Sequence, residues 1–193
     1  MIGIEKYLYL EPPETVISGS FRKHIEHIGT AMKNFEHAGV KIIAPNSAEA
    51  VDSSQEFIIL SGDDPSTPPH KLEISFMRKI AGASFLYVAD IDGYIGKSAA
   101  SEIAYTRLKG VPVITAERIS AFSEEIPEIA REILTASIRG VLSIDHITTK
   151  NISQLKGVIE AYTMPELTPE QAKILNYLIK DLLKELTYIH EKK

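Results

Sequence analysis

The stretch SFLYVADI, residues 84–91, decides the fold. It is a nearly continuous apolar run, which is typical of a strand covered on both faces. Helical spacing of apolar residues precedes it over 71–83 and follows it over 98–110, and the sequence VPVIT at 111–115 then predicts another strand. A buried strand between two helices indicates a parallel sheet with crossover helices.

The N-terminal part of the chain repeats this arrangement. ETVISGS (14–20) predicts a short strand that runs into a Gly/Ser turn, and a helix over 21–39 leads to the strand VKIIAP (40–45). The apolar residues that fall on one face of this helix are Ile25, Ile28, Met32 and Phe35. Such strand-helix-strand units pair in parallel with right-handed connections, so we expect an α/β fold with an open, mostly parallel sheet of about five strands and helices on both faces.

Ligands bind beyond the carboxyl ends of the strands in sheets of this kind. The loops at 18–22, 45–70 and 90–98 are therefore predicted to meet at one edge. Within the middle loop, EFIIL (56–60) predicts a further strand and SGDDPSTPPH (61–70) an exposed segment rich in turn-forming residues. A loop of this length is either functional or a surface excursion.

The C-terminal part gives weaker patterns until its last helix. We expect a helix over 124–140, a strand over 141–147, and a division into an α/β domain of residues 1–145 and an extension of 146–193. The final helix, over about 168–190, starts with Thr168, Pro169 and Gln171, which form a capping-box pattern. Its apolar stripe covers either its own domain or a partner chain. The residues of this stripe are Ile174, Leu175, Leu178, Leu182 and Leu186.

Composition excludes several classes of function. The chain has 193 residues, and its 21 basic and 26 acidic residues give a net charge of −5, which argues against an electrostatic grip on nucleic acid or on an anionic membrane. The absence of cysteine excludes disulfides and thiolate nucleophiles. The first 14 residues contain Glu5, Glu11 and Glu14 rather than a signal-peptide pattern, and no run approaches the roughly 18 apolar residues of a membrane span. We therefore expect a cytoplasmic protein.

Two of the three loops carry candidate binding groups. SGSFR (18–22) is a Gly/Ser turn that enters a helix, so its backbone N–H groups suit a phosphate or a carboxylate, although such turns are also ordinary strand-to-helix punctuation. ADIDGYIGKS (89–98) leaves the buried strand with Asp90 and Asp92 and enters a helix near Ser98. Taken alone, the end of this stretch is explained by a serine that caps the helix and a solvated Lys97.

Glu102 lies four residues beyond Ser98, in the opening turns of the predicted helix. Small residues flank it and leave room beside its carboxylate. A glutamate at this position is either a partner of the helix dipole or a functional group.

These motifs together resemble the nucleoside 2-deoxyribosyltransferase family and its relatives that hydrolyse the N-glycosidic bond of nucleoside 5′-monophosphates. The resemblance covers roughly residues 14–116 and rests on four stretches. They are SGSFR, AGVKIIAP, AGASFLYVADIDGYIG and SEIAYTRLKGVPVI, of which the last is the most specific. The resemblance implies that the domain of residues 1–145 has a flavodoxin-like fold. The chain departs from the family in having SAAS where a glycine-threonine pair is usual before the glutamate, and Ala104 where glycine is common.

The resemblance also implies roles for individual residues. Glu102 corresponds to the nucleophile that attacks C1′ of the sugar, and Asp90 and Asp92 correspond to aspartates that contact the base or the sugar. Phosphate-binding positions fall on Ser18, Gly19, Ser20, Arg22 and Ser98. The residues themselves indicate that Arg22, Lys97 and the serines can form an anion pocket, with Gly96 in the turn before Lys97. Tyr94 stacks on the base, hydrogen-bonds Glu102 or anchors its loop.

The motifs and the resemblance thus predict cleavage or transfer at an N-glycosidic bond of a nucleoside or nucleoside 5′-monophosphate, with a small molecule as the partner. The alternative is a non-catalytic nucleotide-binding or sensing module with the same binding site. No cofactor is expected, and His24, His27 and His37 do not have metal-ligand spacing. Members of the family assemble as oligomers, so a homodimer or a larger homo-oligomer is expected.

Overall fold

The computed structural model of the chain describes residues 12–52, 58–161 and 163–191. Its strands are β1 (Glu14–Gly19), β2 (Lys41–Ala44), β3 (Ala50–Asp52), β4 (Ile59–Leu60), β5 (Phe85–Ala89), β6 (Tyr94–Ile95), β7 (Val113–Thr115), β8 (Ala121–Phe122) and β9 (Ile138–Val141). Its helices are α1 (Phe21–His37), α2 (Pro69–Ile80), α3 (Lys97–Leu108), α4 (Glu128–Ser137), α5 (Thr149–Ala161) and α6 (Pro169–Glu191).

The central sheet has five strands in the order β2-β1-β5-β7-β9, and every neighbouring pair in it is parallel. This confirms the predicted α/β fold with an open parallel sheet, and the strand order is that of flavodoxin-like proteins. The order reverses between β1 and β5. At this switch point the connections leave towards opposite faces, so a crevice forms beyond the carboxyl ends of the two strands.

Successive side chains of each central strand point to opposite faces of the sheet and pack in two separate hydrophobic layers. Val16 of β1 and Leu86 and Val88 of β5 pack with α2, α3, α4 and α6 on one face. Ile17 and Tyr87 pack on the other face with α1 and α5. Because both faces of β5 are covered, its sequence reads as one unbroken apolar run, as expected for a central parallel strand.

Helix α6 packs on the domain itself, mainly along α3 and also against α2 and α4. Its residues Leu175, Leu178 and Leu182 are buried in the same layer as α3. The predicted capping box is present, since the Thr168 N–H donates to Gln171 Oε1 at 3.0 Å and the Gln171 N–H donates to Thr168 Oγ1 at 3.2 Å. The apolar stripe therefore covers its own domain.

Some boundaries differ from the sequence predictions. The strand expected at 141–147 is instead Ile138–Val141, because Ile138 pairs with Val113 of β7, and a short 3-10 helix occupies Ile144–His146. Helix α5 was not predicted, although its apolar residues cover the sheet beside α1. Of the strand expected at 56–60, residues 56 and 57 lie outside the described part of the chain, and Ile59–Leu60 pairs antiparallel with β3.

Within the described part of the chain, no helix combines the length and the apolar character that crossing a bilayer requires.

Candidate functional site

A cavity of about 350 Å³ lies at the switch point, beyond the carboxyl ends of β1 and β5. The three loops that the sequence placed at this edge all contribute to its wall. The predicted site residues that line it are Gly19, Ser20, Arg22, Asp90, Tyr94, Gly96, Lys97, Ser98 and Glu102. We refer to it as the switch-point cavity.

Glu102 belongs to the second turn of α3, and its side chain lines the switch-point cavity although it is only 6% exposed. The Ser18 hydroxyl, which is fully buried near the end of β1, donates a hydrogen bond to Glu102 Oε2. Burial and the nearby Glu73 carboxyl raise the pKa of Glu102 well above its usual range, against the opposing effect of the Ser18 hydrogen bond. Ser18 therefore positions Glu102 and does not itself line the cavity.

Glu73 of α2 is a second carboxyl group in the same cavity wall, and it is not among the site residues predicted from the sequence. It is 5% exposed, and its Oε1 atom is buried without a hydrogen-bond partner in the described part of the chain. Burial raises the pKa of Glu73 to about 7. The sequence held one signal for it, because Glu73, Phe76 and Ile80 have the i, i+3, i+7 spacing of an apolar stripe, where a carboxylate is unusual.

Asp90 follows β5 directly and is 2% exposed. Its Oδ1 atom accepts hydrogen bonds from the N–H groups of Ala116 at 2.8 Å and Glu117 at 3.2 Å. Its Oδ2 atom is buried and has no hydrogen-bond partner among the described residues. Burial raises the pKa of Asp90 to about 7 despite the N–H donors. One oxygen of Asp90 is thus fixed, and the other retains capacity for a hydrogen bond to a ligand.

Asp92 is exposed and does not join the cavity wall. It lies in a turn with φ of 69°, and its carbonyl oxygen accepts a hydrogen bond from the Ser120 hydroxyl at 2.9 Å. The next residue, Gly93, has φ of 66°, and a Cβ there would lie 2.3 Å from the Arg118 carbonyl oxygen. The acidic pair of the sequence is therefore divided, since Asp90 enters the site and Asp92 shapes the turn.

Gly19 ends β1 at the switch point with φ of 144°. A Cβ at this position would lie 2.9 Å from the Ala89 carbonyl oxygen of β5. Glycine is therefore required for the close approach of the two strand ends, as well as for the turn into α1.

The basic groups at the cavity are arranged unevenly. Arg22 is exposed and lines the cavity beside the N-terminus of α1. Lys97 pairs with Asp181 at 3.0 Å, with Glu125 at 3.5 Å and most closely with Glu185. Burial lowers the pKa of Lys97, but the hydrogen bonds and charges of Glu185 and Asp181 outweigh burial and raise it above its ordinary value. The Lys97 charge is thus already compensated by α6 and the loop before α4.

The remaining predicted residues lie at the rim. Helix α3 begins at Lys97 with Gly96 as its N-cap, so Ser98 is inside the helix and does not cap it. Ser98 is exposed and lines the cavity. Tyr94 is 40% exposed, and Lys23 Nζ lies 4.7 Å from the centre of its ring.

No group of three or more His, Asp or Glu side chains that could hold a metal ion is present in residues 12–52, 58–161 and 163–191. The rings of His24 and His27 lie edge to face with centroids 6.0 Å apart. What the geometry offers is carboxyl chemistry, because Glu73, Asp90 and Glu102 meet in one small cavity at the end of a parallel sheet.

Comparison with known proteins adds no assignment. The chain matches no family model, and no curated protein matches it.

Proposed function

We propose that this protein cleaves or transfers at the N-glycosidic bond of a nucleoside or nucleoside 5′-monophosphate, with Glu102 as the nucleophile. The observation that carries the proposal is the position of Glu102. Its carboxyl group is buried, lines the switch-point cavity and receives a hydrogen bond from Ser18. A carboxylate that served only the helix dipole would be solvated at the first turn, whereas this one faces the place where such folds bind ligands.

Displacement of a nucleobase passes through an oxocarbenium-like centre at C1′, and a carboxylate can stabilise that charge or bond to it. Glu102 has to be ionised for this role, although its pKa is raised by burial. The Ser18 hydroxyl favours the ionised form, and positive charge that develops at C1′ favours it further. A water molecule or a second base then takes the sugar from Glu102.

Asp90 supplies a fixed contact for the base or the sugar in this proposal. Its Oδ1 is held by two backbone N–H groups, which fix the orientation of the carboxyl group. Its unpartnered Oδ2 is then available to a polar group of the substrate, which would remove the cost of an unsatisfied buried oxygen.

The 5′-phosphate, where the substrate has one, is assigned to Arg22 and the turn that begins α1. Ser20 is the N-cap of α1 and makes no side-chain capping bond. The Lys23 N–H already donates to the Ser20 carbonyl oxygen at 3.0 Å, so the N–H groups of Phe21 and Arg22 are the ones assigned to an anion. Lys97 contributes little to this site because three carboxylates already surround it. We therefore propose that Arg22 is the side chain that pairs with the charge of the phosphate.

The test incubates the protein with a panel of nucleosides and nucleoside 5′-monophosphates and measures the released base by chromatography. We expect release by the wild-type chain and its loss in Glu102→Gln, which keeps the shape of the side chain and removes its charge. Glu132→Gln, an exposed glutamate on α4, is the matched control and should behave as the wild type. Absence of release from every compound by the wild-type chain would overturn the proposal.

One observation favours a second candidate, a nucleotide-binding or sensing module without turnover. Lys97 lines the cavity and is tied to Asp181 and Glu185 of α6, so a ligand that moves this wall would also move that helix. Tight binding of a nucleotide without base release, in both the wild type and Glu102→Gln, would support this candidate over the enzyme.

The proposal includes a cytoplasmic location and a homodimer or larger homo-oligomer. Sedimentation of the purified chain tests the assembly, and a monomeric mass would contradict it.

A further inference from the structure

We infer that Glu73 is a second catalytic carboxyl group of the switch-point cavity, which protonates the departing base while Glu102 attacks C1′. This inference rests on the proposed function. It adds a residue of helix α2 to a site whose other carboxyl groups, Asp90 and Glu102, come from the end of β5 and from α3.

The first support is the environment of Glu73. The side chain is 5% exposed, yet it lines the cavity, and its Oε1 atom has no hydrogen-bond partner in the described part of the chain. An unpaired buried oxygen costs free energy, so folded proteins seldom keep one without a function. A substrate in the cavity would supply the missing partner.

The second support is the contrast between the two glutamates. Glu102 Oε2 accepts a hydrogen bond from the Ser18 hydroxyl, and this bond stabilises the ionised form of Glu102. Glu73 Oε1 accepts no hydrogen bond from the described residues. Two carboxyl groups that repel each other in one buried site do not both ionise readily, so one proton stays with the pair. The Ser18 hydrogen bond favours ionisation of Glu102 and Glu73 has no such donor, and the proposed reaction requires the charge on Glu102 and the proton on Glu73.

Asp90 is the competing proton donor, and its contacts argue against that role. Two backbone N–H groups donate to Asp90 Oδ1, and donors of this kind favour the ionised carboxylate. Asp92, the other aspartate expected to contact the base or the sugar, does not line the cavity. Glu73 is therefore the better donor.

The step balances as follows. A Glu102 carboxylate oxygen forms a bond to C1′, the C1′–N bond breaks with its electron pair going to the base, and the Glu73 proton goes to the base. In the second half, a water oxygen forms the bond to C1′, the Glu102–C1′ bond breaks, and the Glu73 carboxylate takes the proton of the water. Both glutamates return to their initial states.

Other charged groups at the cavity affect the protonation of Glu73 and have to be kept constant in a test. Burial raises the pKa of Glu73, and the Glu73 carboxyl in turn raises the pKa of Glu102. The pairing of Lys97 with Asp181 and Glu185 of α6 limits the effect of that cation on both carboxyl groups. The remaining charged groups that line the cavity are Arg22, Asp63, Lys79 and Asp90.

The experiment compares two leaving groups in Glu73→Gln, Glu102→Gln and the control Glu132→Gln. One substrate is the nucleoside that the wild type cleaves best, and the other is the same sugar with 4-nitrophenol in place of the base, which leaves as a stable anion and needs no proton. We expect Glu73→Gln to lose at least about 100-fold in kcat on the nucleoside and less than about 10-fold on the nitrophenyl substrate. Glu102→Gln should lose activity on both substrates.

The pH profile gives a readout that a purely structural role would not move. The wild-type kcat on the nucleoside should fall as pH rises past the pKa of Glu73, and Glu73→Gln should lose this fall. Equal losses on both substrates, or an unchanged pH profile in the variant, would overturn the role of Glu73 while leaving Glu102 as nucleophile. If the wild type cleaves neither substrate, the proposed function itself fails and takes this role with it.

Discussion

The buried Glu73 carboxyl predicts that this protein is more stable with Gln at position 73 at alkaline pH. Burial raises the pKa of Glu73 from an ordinary value of 4.5 to about 7. Between these two pH values the native chain retains a proton that the unfolded chain has lost, so the free energy of unfolding falls as pH rises. Each pH unit counts for about 1.4 kcal/mol, so the loss is about 3 kcal/mol once pH exceeds both values.

Glu73→Gln removes this loss because an amide has no proton to release. We expect the variant and the wild type to have free energies of unfolding within about 1 kcal/mol of each other at pH 4.5. At pH 8.5 the variant should be more stable by about 3 kcal/mol. Glu132→Gln, on the exposed face of α4, should show the same small difference from the wild type at both pH values.

Urea unfolding followed by circular dichroism at the two pH values measures these differences. The quantity that matters is the change with pH in the difference between variant and wild type, because titrating groups that Glu73 does not influence cancel in it. Glu102 does not cancel, but loss of the Glu73 charge removes one cause of its raised pKa and so adds to the difference in the same direction. A difference that stays constant from pH 4.5 to 8.5 would refute the reasoning, since Glu73 would then titrate alike in the folded and unfolded chains. This measurement needs no substrate and is independent of the proposed activity.

Three further predictions concern the cavity wall and the turn at Gly93. Arg22→Gln should raise KM for a nucleoside 5′-monophosphate by about 10-fold or more and leave KM for the free nucleoside within about 2-fold, because the proposed function assigns Arg22 to the phosphate alone. Steady-state kinetics on both substrates measure this, and an equal change in both KM values would contradict the role. Gly93→Ala should lower the free energy of unfolding by about 2 kcal/mol or more in urea unfolding, because φ is positive at this position and the added Cβ would lie 2.3 Å from the Arg118 carbonyl oxygen. A decrease below about 0.5 kcal/mol would show that the turn relaxes without strain. Lys97→Met should lower the free energy of unfolding by about 1 kcal/mol at low salt and by less at high salt in urea unfolding. The carboxylate partners of Lys97 on α6 are partly exposed, so salt screens these ion pairs. An effect of the substitution that is equal at low and high salt would argue against the ion pairs.

The sequence was sufficient for the architecture because the determining signals are local. The unbroken apolar run of β5 and the helical spacing on either side follow from burial on two faces of a parallel strand. The capping box of α6 is likewise a local pattern, and its two hydrogen bonds form as expected. The start of β9 was misplaced because pairing of Ile138 with Val113 is a long-range interaction.

The candidate site was predictable in its position and less so in its composition. Rules for the carboxyl ends of parallel strands brought Asp90 and Glu102 to one cavity. The division between Asp90 and Asp92 depends on a turn with positive φ, which sequence spacing does not reveal. Lys97 was expected to be solvated or to bind an anion, and its pairing with α6 required knowledge of how a helix some eighty residues later in the chain packs. Glu73 was not predicted as a site residue because it lies among the apolar positions of its helix, a pattern that indicates core packing.

The most direct test of the central claim is to trap the sugar on its nucleophile. A nucleoside with fluorine at C2′ slows both halves of the reaction, because fluorine destabilises an oxocarbenium-like centre, and a covalent sugar-enzyme intermediate should then accumulate. Intact-protein mass spectrometry followed by peptide mapping is predicted to show one added sugar on Glu102, with none in Glu102→Gln. Base release from the wild type with no adduct, or with the sugar on another residue, would contradict the assignment of Glu102 as the nucleophile.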